Sequence, residues 1–223
     1  GAAPGNPAEL EPLARAGVLG YKCFLSPSGV DEFGHVSEGD LREAFPVLAA
    51  LDLPLLVHAE LPSQLRAPEP GADPRAYDTW LATRPARAEV GAIELLIRLA
   101  REFNVRTHIV HLSTGQAIDV LRTARAGGVR ISAETCPHYL TFCAEHISAG
   151  ATAFKCAPPI REHTEQDTLW RALASRDLSL IASDHSPAPP PLKRLEDGNF
   201  LDAWGGVASL QVSLAAVWTA ASG

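Results

Sequence analysis

The sequence has no long hydrophobic run and no excess of basic charge, and each absence excludes a class of protein. No stretch approaches the roughly 18 uncharged apolar residues that a membrane-spanning helix needs. The formal net charge is −7, which argues against a general binder of nucleic acid or anionic membranes, because both favour basic surfaces. Residues 1–17 contain no basic segment followed by an apolar run, so they do not resemble a signal peptide. We therefore expect a cytoplasmic protein.

Cysteine is also scarce, and its spacing excludes a thiol-rich metal or redox motif. The four cysteines are Cys23, Cys136, Cys143 and Cys156, and no two of them form a CxxC pair. A chain of 223 residues can bury a sizeable core without disulfides. We expect reduced thiols that serve as packing residues, in a single domain that spans residues 1–223. No internal repeat interrupts that domain.

Short apolar runs alternate with longer stretches of helical periodicity. Runs rich in valine, isoleucine and leucine are typical of buried parallel strands. They predict five strands, at residues 18–25, 55–58, 105–112, 129–135 and 178–183. Apolar periodicity predicts helices at residues 7–16, after an N-cap at Ser37, and at residues 86–103, 115–126, 163–175 and 203–221. The alternation favours a parallel α/β fold, either a doubly wound sheet or part of a barrel.

The segment 61–85 breaks this alternation. It contains five prolines and no clear periodicity. Long loops in compact domains tend to be functional. We therefore expect an excursion beside a site.

Four ionisable residues stand where predicted strands end. Lys22, His58, His111 and Asp184 each belong to or follow such a strand, and sites in parallel α/β folds are built at the carboxyl ends of strands. A lone histidine at such a place is more often structural, but the four together match a metal site with nitrogen and oxygen ligands. His108 lies three residues before His111 and would face the opposite side of the strand. It is the weaker ligand of the two.

A lysine in a buried strand needs an explanation of its own. An ammonium group is costly to bury unless it is paired or its pKa falls. Neutral Lys22 would be a nucleophile, able to form a Schiff base or to take up carbon dioxide as a carbamate. The carbamate has two oxygens that suit a bridge between divalent cations. Schiff-base chemistry at Lys22 would give the two histidines and Asp184 no common chemical function.

Seven motifs in order resemble those of the cyclic amidohydrolases, the family of allantoinase, dihydropyrimidinase (hydantoinase) and dihydroorotase. They are Gly-Tyr-Lys-Cys-Phe at 20–24, Val-His-Ala-Glu at 57–60, Thr-Arg-Pro-Ala-Arg-Ala-Glu at 83–89, Val-His-Leu-Ser-Thr at 110–114, Glu-Thr-Cys-Pro-His-Tyr-Leu at 134–140, Pro-Pro-Ile-Arg at 158–161 and Ser-Asp-His-Ser-Pro at 183–187. The resemblance covers nearly the whole chain. It implies a TIM-type (β/α)8 barrel with two divalent metal ions, usually zinc.

The resemblance also implies a role for each candidate residue. Lys22 would be the carbamylated bridge on barrel strand four, and His58 and His111 would hold the more exposed metal from strands five and six. Asp184, on strand eight, would bind the buried metal and act as the general base. Glu134 and His138 would be partners of the ligands or ordinary polar groups at a strand end.

The substrate side is predicted in the same way. The backbone of Cys156, Ala157 and Pro158 would line the substrate ring. Ser26 or Ser28 would supply the oxyanion donor, although Ser-Pro-Ser-Gly at 26–29 is equally a turn signal.

The segments at 23–33 and 204–207 resemble the allantoinases within the family, which implies hydrolysis of allantoin to allantoate. Hydantoinases place a tyrosine a few residues after the bridging lysine, whereas no tyrosine follows Lys22 until Tyr77. Dihydroorotases use arginines for a substrate carboxylate, and Arg161 lies in a motif common to the family. Hydantoinase-like and dihydroorotase-like hydrolases are the alternatives.

The chain has no His-x-His pair, the motif with which family members begin. We expect it to cover barrel strands four to eight, without the first three strands and the flanking β-domain, and to be inactive alone. A metal-free scaffold subunit is the alternative of another class. The resemblance further implies a homotetramer acting on a small cyclic ureide.

Overall fold

The computed structural model describes residues 1–222 as an α/β protein with parallel strands. The strands are β1 (Tyr21–Phe24), β2 (Leu55–His58), β3 (Thr107–Ile109), β4 (Ile131–Thr135) and β5 (Leu180–Ile181). The helices are α1 (Pro7–Arg15), α2 (Glu38–Leu51), α3 (Tyr77–Thr83), α4 (Ala86–Phe103), α5 (Ile118–Ala126), α6 (Pro137–Thr141), α7 (His163–Ala174) and α8 (Ser213–Ser222). Within residues 1–222, no helix is both long and apolar enough to cross a membrane.

The chain divides into two compact units. The first comprises residues 1–64, 87–110 and 117–133, and the second comprises residues 65–86, 111–116 and everything from 134 onward. Strand β4 changes unit between Ala133 and Glu134.

The first unit contains a parallel sheet whose strand order follows the chain. Tyr21 lies opposite Leu55 where β1 pairs with β2. Strand β2 then pairs with β3, and β3 with the first three residues of β4. Parallel neighbours require helical crossovers, and α2, α4 and α5 supply them. The parallel α/β prediction is therefore confirmed.

Helix α2 begins where the sequence predicts. The Ser37 hydroxyl accepts a hydrogen bond from Asp40 N at 3.2 Å, and the Asp40 carboxylate accepts one from Ser37 N at 2.8 Å. This reciprocal capping box satisfies two backbone donors that the helix leaves open. The core of the unit consists of large apolar side chains with at most 1% exposure, namely Leu10, Leu41, Phe45, Leu48, Leu55, Ile93, Leu96, Leu99, Ile109 and Leu121.

The second unit pairs the end of β4 with β5, where Glu134 lies opposite Leu180. Its helix α3 lies inside the segment predicted as a loop, so that prediction is wrong for Tyr77–Thr83. The buried Tyr77 ring packs edge-to-face on Phe200, with centroids 5.3 Å apart. Contacts distant in sequence thus stabilise a helix that local periodicity does not reveal.

Two other elements of the second unit differ from the prediction, and a third was not predicted. The last helix begins at Ser213 rather than at residue 203, and residues 137–141 form the short helix α6. Strand β5 has two residues where six were predicted. The backbone beyond β5 is held instead by residues 207–210, with Ser186 N donating to the Val207 carbonyl at 3.1 Å.

Candidate functional site

In the first unit, Lys22 and His58 share one aromatic neighbour. The register of β1 and β2 places Phe24 opposite His58. Lys22 Nζ lies 3.8 Å from the centroid of the Phe24 ring, and the His58 ring stacks with that ring at 5.2 Å. Lys22 Nζ also donates to the Cys23 carbonyl at 3.2 Å. Strand pairing therefore gathers two of the four predicted metal ligands around Phe24.

His58 has a buried carboxylate partner. Its Nε2 lies 2.7 Å from Glu60 Oε2, and the two residues are 5% and 0% exposed. An ionised carboxylate can only accept, so an ionised Glu60 would place a proton on Nε2 and leave the Nδ1 lone pair of a neutral imidazole for a metal. This is how proteins orient a metal-binding imidazole. Sequence reasoning gave Glu60 no role, although the His-x-Glu spacing at the end of β2 was a signal for it.

The two candidate oxyanion serines have different surroundings. Ser28 Oγ donates to the Phe33 carbonyl at 2.7 Å and accepts from Val30 N at 3.3 Å, which is the turn chemistry that its motif predicts. The Ser26 hydroxyl is fully buried and has no hydrogen-bond partner among residues 1–222. A substrate role for either serine stays a prediction, and these contacts favour Ser26.

In the second unit, His111 and Asp184 both have left-handed backbone conformations, with φ of 43° and 42°. Such values are uncommon outside glycine, and strained backbone is found at functional sites. His111 is 5% exposed, and the next residue is fixed, since Leu112 N donates to the Glu134 carbonyl at 2.8 Å. Thr135 Oγ1 donates a hydrogen bond to the Leu112 carbonyl at 2.9 Å. The backbone beyond β3 is thus held to the end of β4.

Asp184 has two close neighbours, Cys136 and His138. The sequence analysis expected His138 as a partner of the ligands or an ordinary strand-end group, and Cys136 as a packing residue. One donor atom each of Cys136, His138 and Asp184 lie within 4.8 Å of one another. Cys136 and His138 are buried, whereas Asp184 is exposed. Burial lowers the pKa of His138 to about 4, so its imidazole is neutral near pH 7. The Cys-x-His spacing after β4 was the available signal, since β4 and β5 are parallel and end at the same edge.

The loop after Asp184 is fixed through His185. The Nδ1 atom of His185 accepts hydrogen bonds from Ser209 N and Leu210 N, both at 3.1 Å. Two backbone donors on Nδ1 leave the proton on Nε2. Ser209 Oγ also donates to the Ser183 carbonyl at 2.8 Å. The aspartate therefore lies in a loop anchored on both sides.

The segment predicted to face the substrate ring is held by aromatic side chains. The Trp80 indole donates to the Cys156 carbonyl at 3.1 Å, and the Tyr139 hydroxyl donates to the Pro158 carbonyl at 2.7 Å. Both bonds are buried. They fix the Cys156–Ala157 and Pro158–Pro159 peptide groups, as a backbone binding surface requires.

Burial raises the pKa of the Cys23 and Cys156 thiols to about 12 in each case. It also raises the pKa of Cys136. Thiols in such surroundings stay protonated near neutral pH and are poor nucleophiles. All four cysteines are free and buried, as predicted.

Comparison with known proteins gives relatives for nearly the whole chain, although no family model matches. The mitochondrial allantoinase of Aquarana catesbeiana is 46% identical over 221 residues, 99% of this chain and 46% of the relative. The allantoinase of Streptomyces avermitilis is 47% identical over 221 residues, 99% of this chain and 49% of the relative. A solved L-hydantoinase (dihydropyrimidinase) from Arthrobacter aurescens has a TM-score of 0.88 at 27% identity, covering 96% of this chain and 48% of that one.

The relatives named here, two allantoinases and an L-hydantoinase, are cyclic amidohydrolases, and this is the class of protein that the chain resembles. More narrowly, the chain is a homologue of the allantoinases over almost all of its own length. It spans about half the length of the curated relatives that it matches.

Proposed function

We propose that the protein containing this chain is a metal-dependent cyclic amidohydrolase that opens allantoin to allantoate. The observation that carries the proposal is the placement of four candidate ligands along the parallel strands of a homologue of allantoinases. Lys22 lies within β1, His58 ends β2, and His111 and Asp184 follow β3 and β5. A scaffold that binds no metal has no need of this set. The buried carboxylate beside His58 argues in the same direction.

The side chains fit a centre of divalent cations by their chemistry. His58 and His111 are buried imidazoles, Asp184 is a carboxylate, and Lys22 becomes an oxygen ligand when carbamylated. Nitrogen and oxygen ligands of this kind suit zinc. Bound divalent cations would lower the pKa of water and polarise the scissile carbonyl.

The chain's own residues would then perform three tasks. Asp184 would hold the proton removed during attack and pass it to the leaving nitrogen. The peptide groups of Cys156, Ala157 and Pro158 would position the ring of the substrate. The Ser26 hydroxyl would donate to the developing oxyanion, the role that hydantoinases are expected to give to a tyrosine.

We also propose the place of this chain in the larger fold. Its five parallel strands would be strands four to eight of a TIM-type barrel, with Lys22 on the fourth and Asp184 on the eighth. The likeness to L-hydantoinase over 96% of this chain supports this assignment. The order in which the candidate ligands follow the strands supports it as well.

A hydantoinase-like activity is the second candidate, favoured by the structural likeness to L-hydantoinase. The first candidate is better supported, because the allantoinases are the more similar in sequence. A dihydroorotase-like role is less supported. The buried Arg161 guanidinium donates to Ser113 Oγ at 2.9 Å and to the Arg84 carbonyl at 3.1 Å, so at least two of its five N–H donors are engaged by the protein itself.

The test uses the complete gene product, expressed with zinc and bicarbonate. We expect allantoin ring opening with about two metal ions per chain. Lys22→Ala should lose both the metal and the turnover, whereas Lys193→Ala, at a buried lysine outside the predicted centre, should keep its metal. A folded protein that binds no metal would contradict the proposal.

A further inference from the structure

His138 has an unusual place for an imidazole. It is 2% exposed, and neither ring nitrogen has a hydrogen-bond partner among residues 1–222. Buried polar groups are nearly always paired, and leaving one unpaired costs about 1–3 kcal/mol. His138 also lines a cavity of about 330 Å³. A ligand bound in this cavity would supply the partner that the ring nitrogens of His138 lack.

The neighbours of His138 specify the kind of ligand. Donor atoms of Cys136 and Asp184 lie within 4.8 Å of each other and of the imidazole. Around a tetrahedral zinc ion, ligand atoms are about 3–4 Å apart, so a contraction of roughly 1 Å would complete a three-ligand site. Sulfur and nitrogen donors select zinc or cadmium over magnesium or calcium, which take oxygen ligands.

An organic ligand fits this position less well. Apart from His138, the lining of the cavity is largely apolar, with residues such as Phe142, Phe154 and Val212. The thiol and the carboxylate are close to the imidazole, so the polar groups converge on one point rather than being spread along a molecule. Convergence of three different donors on a single point is the pattern of a cation site.

We propose that Cys136, His138 and Asp184 bind one thiophilic divalent cation, such as zinc or cadmium, at a site distinct from the predicted centre. The thiol loses its proton to solvent when it binds the metal, so that a thiolate sulfur becomes the ligand. This cation shares only Asp184 with the predicted centre. Its inhibitory consequence rests on the proposed function: an ion that occupies the Asp184 carboxylate withdraws the general base, so excess zinc inhibits turnover.

The experiment titrates the complete gene product with Cd²⁺ and follows the thiolate-to-metal charge-transfer absorption. The predicted centre contains no thiolate, so this absorption does not arise there, and the cysteine variants identify the thiol that produces it. We expect this absorption to saturate with one Cd²⁺ per chain in addition to the ions of the predicted centre. Cys136→Ser should abolish the absorption, and His138→Gln should weaken Cd²⁺ binding by roughly 100-fold. The matched control is Cys143→Ser, at a buried thiol beside His146, which should retain the absorption.

Circular dichroism of each metal-free variant checks that it is folded. If Cys136→Ser does not fold, the Cd²⁺ affinity of His138→Gln tests the proposed site instead. A folded protein without the absorption overturns the site, as does an absorption that survives in Cys136→Ser. Inhibition by excess zinc, relieved in Cys136→Ser, supports the shared aspartate. An absorption without inhibition of an active enzyme overturns only that sharing. Absence of allantoin turnover contradicts the proposed function and leaves the Cd²⁺ result to decide the site.

Discussion

At the scale of single residues, the contact of His58 with Glu60 determines which imidazole nitrogen can face a metal. We predict that Glu60→Gln weakens metal retention and turnover by about 10-fold or more, because the neutral amide is a poorer acceptor and a weaker orienting partner. Metal content after dialysis and initial rates check this. Glu69→Gln, at an exposed glutamate, is the control, and unchanged metal retention in Glu60→Gln would contradict the role.

His138 also makes stability depend on pH. Its pKa is about 4 in the folded chain against 6.5 in a model compound. As pH falls from 6.5 towards 4, His138 takes up a proton in the unfolded chain but stays neutral in the folded chain. The free energy of unfolding should therefore fall across this window, by about 3 kcal/mol from this residue alone.

Denaturant unfolding of the metal-free protein at several pH values measures the effect. His138→Gln should lose less stability than the unsubstituted protein between pH 6.5 and 4. Cys136 and Asp184 face His138, and Lys193 lines the same cavity, so the comparison is made as a difference between two proteins that share those groups. Parallel pH profiles would refute the assignment.

At the scale of the elements, burial determines how much each leucine contributes to the free energy of unfolding. Leu96 in α4 is fully buried, whereas Leu19, just before β1, is 88% exposed. We predict that Leu96→Ala lowers the free energy of unfolding by about 2–5 kcal/mol, since it removes packing and leaves a cavity. Leu19→Ala should change it by less than about 0.5 kcal/mol. Equal effects in urea unfolding would mean that α4 does not anchor the core.

The elements differ in how well their sequences predict them. Strand β2 and helix α4 have the predicted bounds, because an apolar run and a long helical stripe are strong local patterns. Helix α3 was not predicted, because its main anchor is a tertiary one: the Tyr77 hydroxyl donates to the distant Ile160 carbonyl at 2.8 Å. The helix predicted from residue 203 begins at Ser213, because its apolar composition lacks a boundary signal.

At the scale of the whole molecule, the question is which cyclic amide the complete gene product opens. We predict a kcat/KM for allantoin at least about 10-fold above those for hydantoin and dihydrouracil, a difference of about 1.4 kcal/mol in transition-state stabilisation. The reason is that no tyrosine lies between Lys22 and Tyr77, where a hydantoinase is expected to place one. Parallel rates with the three substrates measure the preference, and a faster rate with hydantoin would favour the second candidate.

The sequence by itself determined the parallel α/β class, most strand positions and the four candidate ligands. These depend on local apolar patterns and on the chemical type of the residue at each strand end. Tertiary structure alone decided that Cys136 and His138 meet Asp184, that Glu60 holds His58, and that His185 carries its proton on Nε2. The reason is physical: these contacts depend on register, on chain crossovers and on backbone donors remote in sequence, none of which a local pattern specifies.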